Sequence, residues 1–338
     1  MLEPLTFAPL IKPRVWGGRR LERYGVTIPD GAMIGEAWTL ADLPESIPEG
    51  RSVVDSGVRT GRTLRSILRS EPGGVLGDAP PAEDGGFPLL VKLLDARENL
   101  SVQVHPTARY AKGHPGALMK SEAWVVLEAE PGAVIYKGLR RGLDRADFAA
   151  HAQAGTLLDD LVAVPVKRGD CHYLPSGICH ALGAGIVVAE IQTPSDTTFR
   201  VYDWGRSGRE LHLEQATECI FSATPEPGVE SRPGATIDSR NFRTTRLCST
   251  PYFTIERIEL RKSAQLPLTP SPSAVVWMVL GGTVELTGQG GPRILTLGRT
   301  LLQPAAARGS ALHGDAGATL LRIELPNERD RMLAETHA

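Results

Sequence analysis

Four cysteines, Cys171, Cys179, Cys219 and Cys248, are too few to staple 338 residues, and none forms a CxxC pair. They read as reduced thiols, so the fold must be held by its core. No segment reaches the ~18 apolar residues of a membrane span. Prolines and charges interrupt MLEPLTFAPLIKPRVWGG where a signal peptide needs an unbroken apolar stretch, so a cytoplasmic location is expected. Neither charge dominates. Thirty-seven basic and 39 acidic side chains leave a net −2, with no Lys/Arg run long enough for a nucleic-acid footprint. These absences point away from membrane and nucleic acid and toward a small-molecule partner.

The apolar fraction of 41% and charged fraction of 22% suit a soluble globular chain long enough for two domains. Glycine (36) and proline (26) are plentiful, and the apolar runs between them are short and often alternate. That pattern reads as mainly β with many turns. Expected strands include PLLVKLL (88 to 94), LSVQVH (100 to 105), AWVVLEAE (123 to 130), AVIYKG (133 to 138), GDCHYLP (169 to 175), GIVVAEIQ (185 to 192) and TFRVYDW (198 to 204). Helical spacing is confined to RTLRSILRS (62 to 70), LDRADFAAHAQAGTLLDDL (143 to 161), with Asp144 as its cap, and LHLEQATECIF (211 to 221). The helices read as insertions.

A turn-rich stretch, 222 to 240, is expected to link a first body, 1 to 221, to a second β-rich body, 241 to 338. The second body has one histidine before its last residues, His313, and no ligand cluster, so the chemistry is expected before about residue 215. Its strands, among them YFTIERIEL (252 to 260) and AVVWMVLGGTVEL (274 to 286), suggest a small barrel or sandwich.

Two segments of the first body, SVQVHP and GDCHYLPSGICH, carry the densest chemistry. If Val102 to His105 is a strand, Gln103 and His105 share one face. The second segment delivers His180 after the turn at Pro175 and Gly177, and Glu122 opens a nearby apolar strand. Imidazoles, a carboxylate and an amide oxygen suit one borderline divalent cation such as zinc. A zinc knuckle built from Cys171, His172, Cys179 and His180 is disfavoured, because adjacent residues of an extended chain point to opposite faces. Lys92 lies mid-strand in LVKLL and Lys120 lies two residues before Glu122. Glu190 and Gln192 share a face, as do Arg200 and Tyr202. A charge within an apolar strand needs a partner, and the alternatives are a salt bridge or recognition of an anion.

Taken together, PRVWGG (13 to 18), IGEAW (34 to 38), FPLLVKLLDARENLSVQVHP (87 to 106), KSEAW (120 to 124), GDCHYLPSGICHALGAGIVVAEIQTPSDTTFRVYDWGR (169 to 206) and ELHLEQA (210 to 216) carry a resemblance. The chain resembles the type I mannose-6-phosphate isomerases, the phosphomannose isomerases of the cupin superfamily, in their short bacterial form. The resemblance implies two cupin-like β-barrel (jelly-roll) domains with short helical insertions, the second lacking metal ligands. It implies one zinc ion held by His105, Glu122 and His180, with Gln103 as fourth ligand. Arg200 and Glu190 match active-site residues of the family, and Lys92 and Lys120 match lysines lining a sugar-phosphate pocket. Sixteen residues separate His105 from Glu122, a gap the isomerases share and generic cupins do not. Ala184 stands where the second cupin motif often has asparagine.

The implied reaction interconverts mannose 6-phosphate and fructose 6-phosphate through an enediolate, with metal-assisted proton transfer. Arg200 would stabilise the enediolate or hold an anionic group, and Glu190 and Lys120 are both candidates to move the proton. Two rivals remain open at this point: a metal-dependent cupin oxygenase with a 2-His-1-carboxylate site, and a non-catalytic sugar-phosphate-binding cupin.

Overall fold

The computed structural model describes residues 2–220 and 236–326. Twelve strands precede residue 203: β1 (Leu5–Thr6), β2 (Leu10–Gly18), β3 (Ile34–Leu40), β4 (Leu90–Ala96), β5 (Val102–Val104), β6 (Glu122–Ala129), β7 (Val134–Leu139), β8 (Leu161–Pro165), β9 (Cys171–Leu174), β10 (His180–Leu182), β11 (Ile186–Gln192) and β12 (Phe199–Tyr202). All but β1 form two sheets, one of six strands in the order β2-β3-β4-β11-β6-β9 and one of five in the order β12-β5-β10-β7-β8. The later strands are β13 (Thr236–Asp238), β14 (Phe242–Ser249), β15 (Thr254–Leu260), β16 (Ala264–Leu268), β17 (Val275–Gly281), β18 (Val284–Thr287), β19 (Arg293–Leu295), β20 (Thr300–Gln303), β21 (Ser310–Gly314) and β22 (Thr319–Glu324). They form a four-stranded sheet and a seven-stranded sheet, and β1 reaches across to pair with β20 in the latter. The mainly β expectation holds, and the paired antiparallel sheets are consistent with a cupin fold.

Strands β4, β6 and β11 at the middle of the six-stranded sheet are buried on both faces, which is why they read as nearly unbroken apolar runs instead of alternating ones. On one face Val91, Leu93, Ala123, Val125, Ala189 and Ile191 join a single core cluster with Ile255, Val276, Met278, Leu302 and Ile323 of the later strands. On the other face Leu94, Trp124, Val126 and Val188 pack with Ile135 and Leu182 of the five-stranded sheet. This second face is the interior of the site-bearing body.

Parity orders the five-stranded sheet in the same way. Val102, Val104, Ala181, Phe199 and Val201 face outward and pack with Phe148, Ala216 and Cys219. After α1 (Leu64–Ser70), α2 (Pro72–Leu76) and α3 (Ala108–Gly113), those three lie on helices α4 (Arg145–Ala154) and α5 (Leu213–Cys219). The intervening residues Gln103, His180 and Arg200 therefore face inward. The inserted helices thus serve the site indirectly, by covering the outer apolar face that positions the inner polar one. Asp144 caps α4 as expected, its carboxylate accepting from the backbone of Ala146 and Asp147 while Asp147 returns the bond to the Asp144 backbone.

Three expectations need correction. The strand read over Val102 to His105 ends at Val104, since Pro106 follows His105 and has no N–H for a ladder. The linker read over 222 to 240 includes a strand, since Thr236–Asp238 pairs with β14, a pairing between residues on either side of a turn; its remainder, 222–235, lies outside the described residues, as does 327–338. Strands β2 and β3 were not anticipated: exposed charges and Pro13 interrupt the apolar pattern of β2, while Gly35 and Glu36 interrupt that of β3, which is nonetheless buried throughout. No helix among the described residues is long and apolar enough to cross a membrane.

Because Ile191 is fully buried in the cluster shared by the earlier and later strands, Ile191→Ala should destabilise the protein by about 2–5 kcal/mol. Denaturant unfolding followed by far-UV circular dichroism checks this, and a loss within error of zero would show that the sheet's face toward the later strands contributes little.

Candidate metal centre

Cross-strand register brings the polar residues together. In the five-stranded sheet Gln103 of β5 stands opposite His180 of β10 on one side and Arg200 of β12 on the other. In the six-stranded sheet Glu190 of β11 stands between Lys92 of β4 and Trp124 of β6, and Gln192 stands opposite Glu122. Residues directly opposite each other share a face. Two rows of functional side chains therefore confront each other across the interior.

At the centre His105, Glu122 and His180 lie within reach of one ion, their ligand atoms all within 4.8 Å of one another. It is the one group of three or more His, Cys, Asp or Glu among the described residues with that geometry. All three are fully buried. Glu122 places its two oxygens 3.4 Å from His105 Nε2 and 3.2 Å from His180 Nε2. Neither ring nitrogen of His105 has a hydrogen-bond partner, nor does either Glu122 oxygen meet hydrogen-bonding geometry. Buried polar atoms rarely stay unsatisfied, so this arrangement fits a ligand that supplies the missing bonds. His180 is oriented through its other nitrogen, Nδ1 lying 2.9 Å from the Ile178 carbonyl, a contact typical of the groups that fix a ligating imidazole. The side-chain amide of Gln103 sits 3.2 Å from His180 Nε2, at the edge of the same space.

Electrostatics reinforce the fit. Burial pushes the His105 pKa down to about 3, with the Lys120 ammonium adding to the effect, so its imidazole is neutral. Burial opposes the charge on Glu122, yet Lys120 and the two imidazoles hold its carboxyl well below the usual range. Lys120 Nζ is 2.7 Å from Glu122 Oε2. Two imidazole nitrogens and one carboxylate oxygen make a donor set suited to a borderline divalent cation. The knuckle cysteines are not part of it: Cys179 faces the helix-covered side, with Ala181.

A cavity of about 410 Å³ adjoins this centre through Gln103 and Lys120. Lys92, Glu190 and Arg200 line it as well, so every residue expected from the resemblance to hold metal or serve the active site reaches either the triad or its antechamber, whereas Gln192 and Tyr202 do not line the cavity. Lys92 is buried, 3.0 Å from Glu190 and 3.7 Å from Glu36, beneath the Trp38 ring. Burial disfavours its charge, but Glu190 and Glu36 outweigh that and raise its pKa. Glu190 also accepts from the Trp124 indole at 2.9 Å. Arg200 donates through Nη1 to the Glu210 carbonyl at 2.6 Å, and its Nε is buried without a partner.

Sequence reasoning missed Arg14, Glu36, Asp196 and Arg209, which also line the cavity. Glu36 carried the same signal as Lys92, a charge within an apolar strand. Burial opposes its ionisation, yet Lys92 and Arg14, with the Trp38 indole, bring its pKa to about 2. A carboxylate whose folded pKa lies below its unfolded one stabilises the protein above the unfolded value and loses that contribution as pH falls through the folded value. Stability should therefore drop between about pH 4.5 and 2 by an amount on the order of 3 kcal/mol from Glu36 alone. Chemical denaturation across that range reads it, and Glu36→Gln should flatten this part of the profile; an unchanged slope would contradict the assignment.

Comparisons with known proteins converge. The family model described as phosphomannose isomerase type I, catalytic domain, matches residues 5–123. The mannose-6-phosphate isomerase of Streptococcus mutans is 35% identical over 321 residues, 93% of this chain and 96% of that protein. The mannose-6-phosphate isomerase ManA of Bacillus subtilis is 36% identical over 274 residues, 78% of this chain and 82% of that protein. The crystal structure of a Bacillus subtilis mannose 6-phosphate isomerase superposes with a TM-score of 0.82 at 29% identity, covering 96% of this chain and all of that one. Near-complete coverage in sequence and in structure places this chain in the type I phosphomannose isomerase family.

Proposed function

We propose that the chain interconverts mannose 6-phosphate and fructose 6-phosphate at the cavity beside His105, Glu122 and His180, in agreement with its family. The observation that carries this reading is the joining of a buried, under-satisfied His-Glu-His group to a cavity lined by Lys92, Lys120 and Arg200. His105, Glu122 and His180 would hold the ion, with Gln103 as fourth ligand, and the donor set favours zinc. A divalent ion held there would supply Lewis acidity toward the oxygens at the reacting carbons of the sugar.

The chain's own residues then divide the work. Isomerisation removes a proton alpha to a carbonyl and returns it one carbon away, and negative charge develops on the substrate oxygens between those steps. Glu190, paired with Lys92 and fixed by the Trp124 indole, is the group suited to take and return the proton. Lys120 and Arg200 are cations placed to stabilise the developing charge in a site shielded from bulk water. Lys92 orients Glu190 through their ion pair. The family match and the cationic lining argue against an oxygenase, and the complete set of polar groups argues against a binder without turnover. A cytoplasmic enzyme acting on a small sugar phosphate remains the accompanying reading.

A coupled assay converting mannose 6-phosphate to fructose 6-phosphate tests the function: activity should be lost on chelation and return with zinc. Metal-replete protein without turnover would remove the enzymatic claim. The roles separate in two variants. His180→Ala should lose bound metal by elemental analysis, whereas Arg200→Ala should keep the metal and lose about 100- to 1,000-fold in kcat. Full activity in both would mean that the constellation lies elsewhere.

A further inference from the structure

Lys120 holds its place without help from regular structure. It lies in the irregular stretch between α3 and the first residue of β6, on a long stem with many rotamers. Yet it is only 5% exposed, and its Nζ stands 2.7 Å from Glu122 Oε2. Its position must therefore come from bonds made by the backbone around it. The Lys120 N–H reaches the Pro106 carbonyl at 3.2 Å, next to His105. The other bonds come from the residues that follow β11.

Thr193 is at the centre of them. Its hydroxyl donates to the Met119 carbonyl at 3.0 Å and accepts from the Ser121 N–H at 3.1 Å, so one oxygen ties the residue before Lys120 to the residue after it. The Thr193 N–H adds a bond to the Ser121 carbonyl at 3.1 Å. Two residues on, Ser195 Oγ donates to the Leu118 carbonyl at 2.8 Å. Gln192, fully buried and opposite Glu122 in the sheet, holds this turn from within, its Nε2 donating to the Thr193 and Ser195 carbonyls at 2.8 and 2.7 Å. Thr193 is itself buried, so its bonds are not shared with bulk water. Ser121 Oγ accepts from the Ser176 N–H at 3.0 Å, in the turn that delivers His180, and this joins the clasp to the metal centre.

We infer that Thr193 is the positioning residue for Lys120: its hydroxyl fixes the backbone on either side of the lysine, so that the ammonium stays beside Glu122 and at the edge of the cavity while the sugar reacts. This rests on the sugar-phosphate isomerase reading, in which Lys120 stabilises the developing charge, and deepens it by naming what holds that cation. Electrostatic stabilisation requires the cation to be in place before the charge develops, and a displacement of about 1 Å can cost on the order of 100-fold in rate. Glu122 alone cannot supply the restraint, because its oxygens are shared once an ion is held there. The backbone bonds of Thr193 do not depend on that occupancy. Thr193 does not line the cavity, so its effect on turnover passes through Lys120.

The test uses metal-replete full-length protein with Thr193→Val, which keeps the shape and removes the hydroxyl, and Thr193→Ser, which keeps the hydroxyl. Thr193→Val should lower kcat for mannose 6-phosphate about tenfold with KM changed by less than about threefold, the split expected when an interaction made in the transition state is weakened. Thr193→Ser should stay within about twofold of the unaltered protein. In a Lys120→Met background, adding Thr193→Val should cost less than about twofold more, because the group it positions is gone. Hydrogen exchange reads the clasp without turnover: the Ser121 amide should exchange at least about tenfold faster in Thr193→Val, while the Val125 and Ala189 amides keep their protection. Thr193→Ala, which removes the same hydroxyl, should show the same pattern and covers the case in which Thr193→Val does not fold. An unchanged kcat, a serine variant as slow as the valine one, the full loss repeated without Lys120, or exchange quickened throughout β6 and β11 would overturn the assignment. If the unaltered protein fails to isomerise the sugar, the isomerase reading falls, and exchange at Ser121 alone decides whether Thr193 fixes the Lys120 segment.

Discussion

A carboxylate removed from water must be compensated, and Glu122 concentrates that requirement at the heart of this protein. It is fully buried, with Lys120 2.7 Å away on one oxygen and His180 3.2 Å away on the other. Unpaired, such a charge costs several kcal/mol. Lys120 keeps Glu122 ionised while burial keeps His105 neutral. The same pair of effects leaves ring nitrogens and a carboxylate oxygen available to one ion, the condition a divalent site requires before any metal arrives. Lys120 consequently acts twice under the proposed function, setting the charge of the ligand and facing the substrate.

Holding that arrangement needs a rigid mount, which explains why the six-stranded sheet is sandwiched on both faces. Its interior face bears Glu122, Trp124, Glu190 and Lys92, while the alternate residues Ala123, Val125, Ala189, Val91 and Ile191 are locked into the cluster shared with the later strands. The later strands carry no candidate ligand group among the described residues. Their contribution is packing: they keep water from the back of the sheet and fix the register on which the site depends. A slip of one residue would turn Glu190 and Lys92 into the apolar cluster and drive Ala189 and Val91 into the cavity. Helices α4 and α5 do the corresponding work behind β5, β10 and β12.

Much of this was legible in the sequence where the determining contacts are local. The cap at Asp144 was readable because both halves of the capping box lie within four residues. The parity of Gln103, Glu190 and Arg200 within their segments was readable because alternation is a property of one strand. What parity cannot supply is register. Gln103 meets His180 and Arg200 across β5, residues 77 and 97 positions away, and no local pattern in either segment states that they pair. The resemblance to a known family stood in for that missing long-range information. Arg14 and Glu36 stayed hidden for a different reason: one lies in a proline-broken, half-exposed strand and the other in an unanticipated buried strand, so neither entered the set of inward-facing charges.

Those two residues change how the cavity is understood. From the sequence, Lys92 was a candidate to meet the substrate's anionic group; in the structure it is fully engaged by Glu190 and Glu36. A lysine so paired would have to break buried ion pairs to bind phosphate directly, at a cost of several kcal/mol. Under the proposed function its role is to position Glu190 through their ion pair and to hold the Glu36 carboxyl charged beside Arg14. Arg14 and Arg209, with 33% and 25% of their side chains exposed, line the same cavity and keep part of their charge in water. A buried, tightly paired interior thus coexists with more accessible guanidinium groups at one cavity, because the ion pairs of Lys92 and Lys120 satisfy the interior charges before any ligand enters.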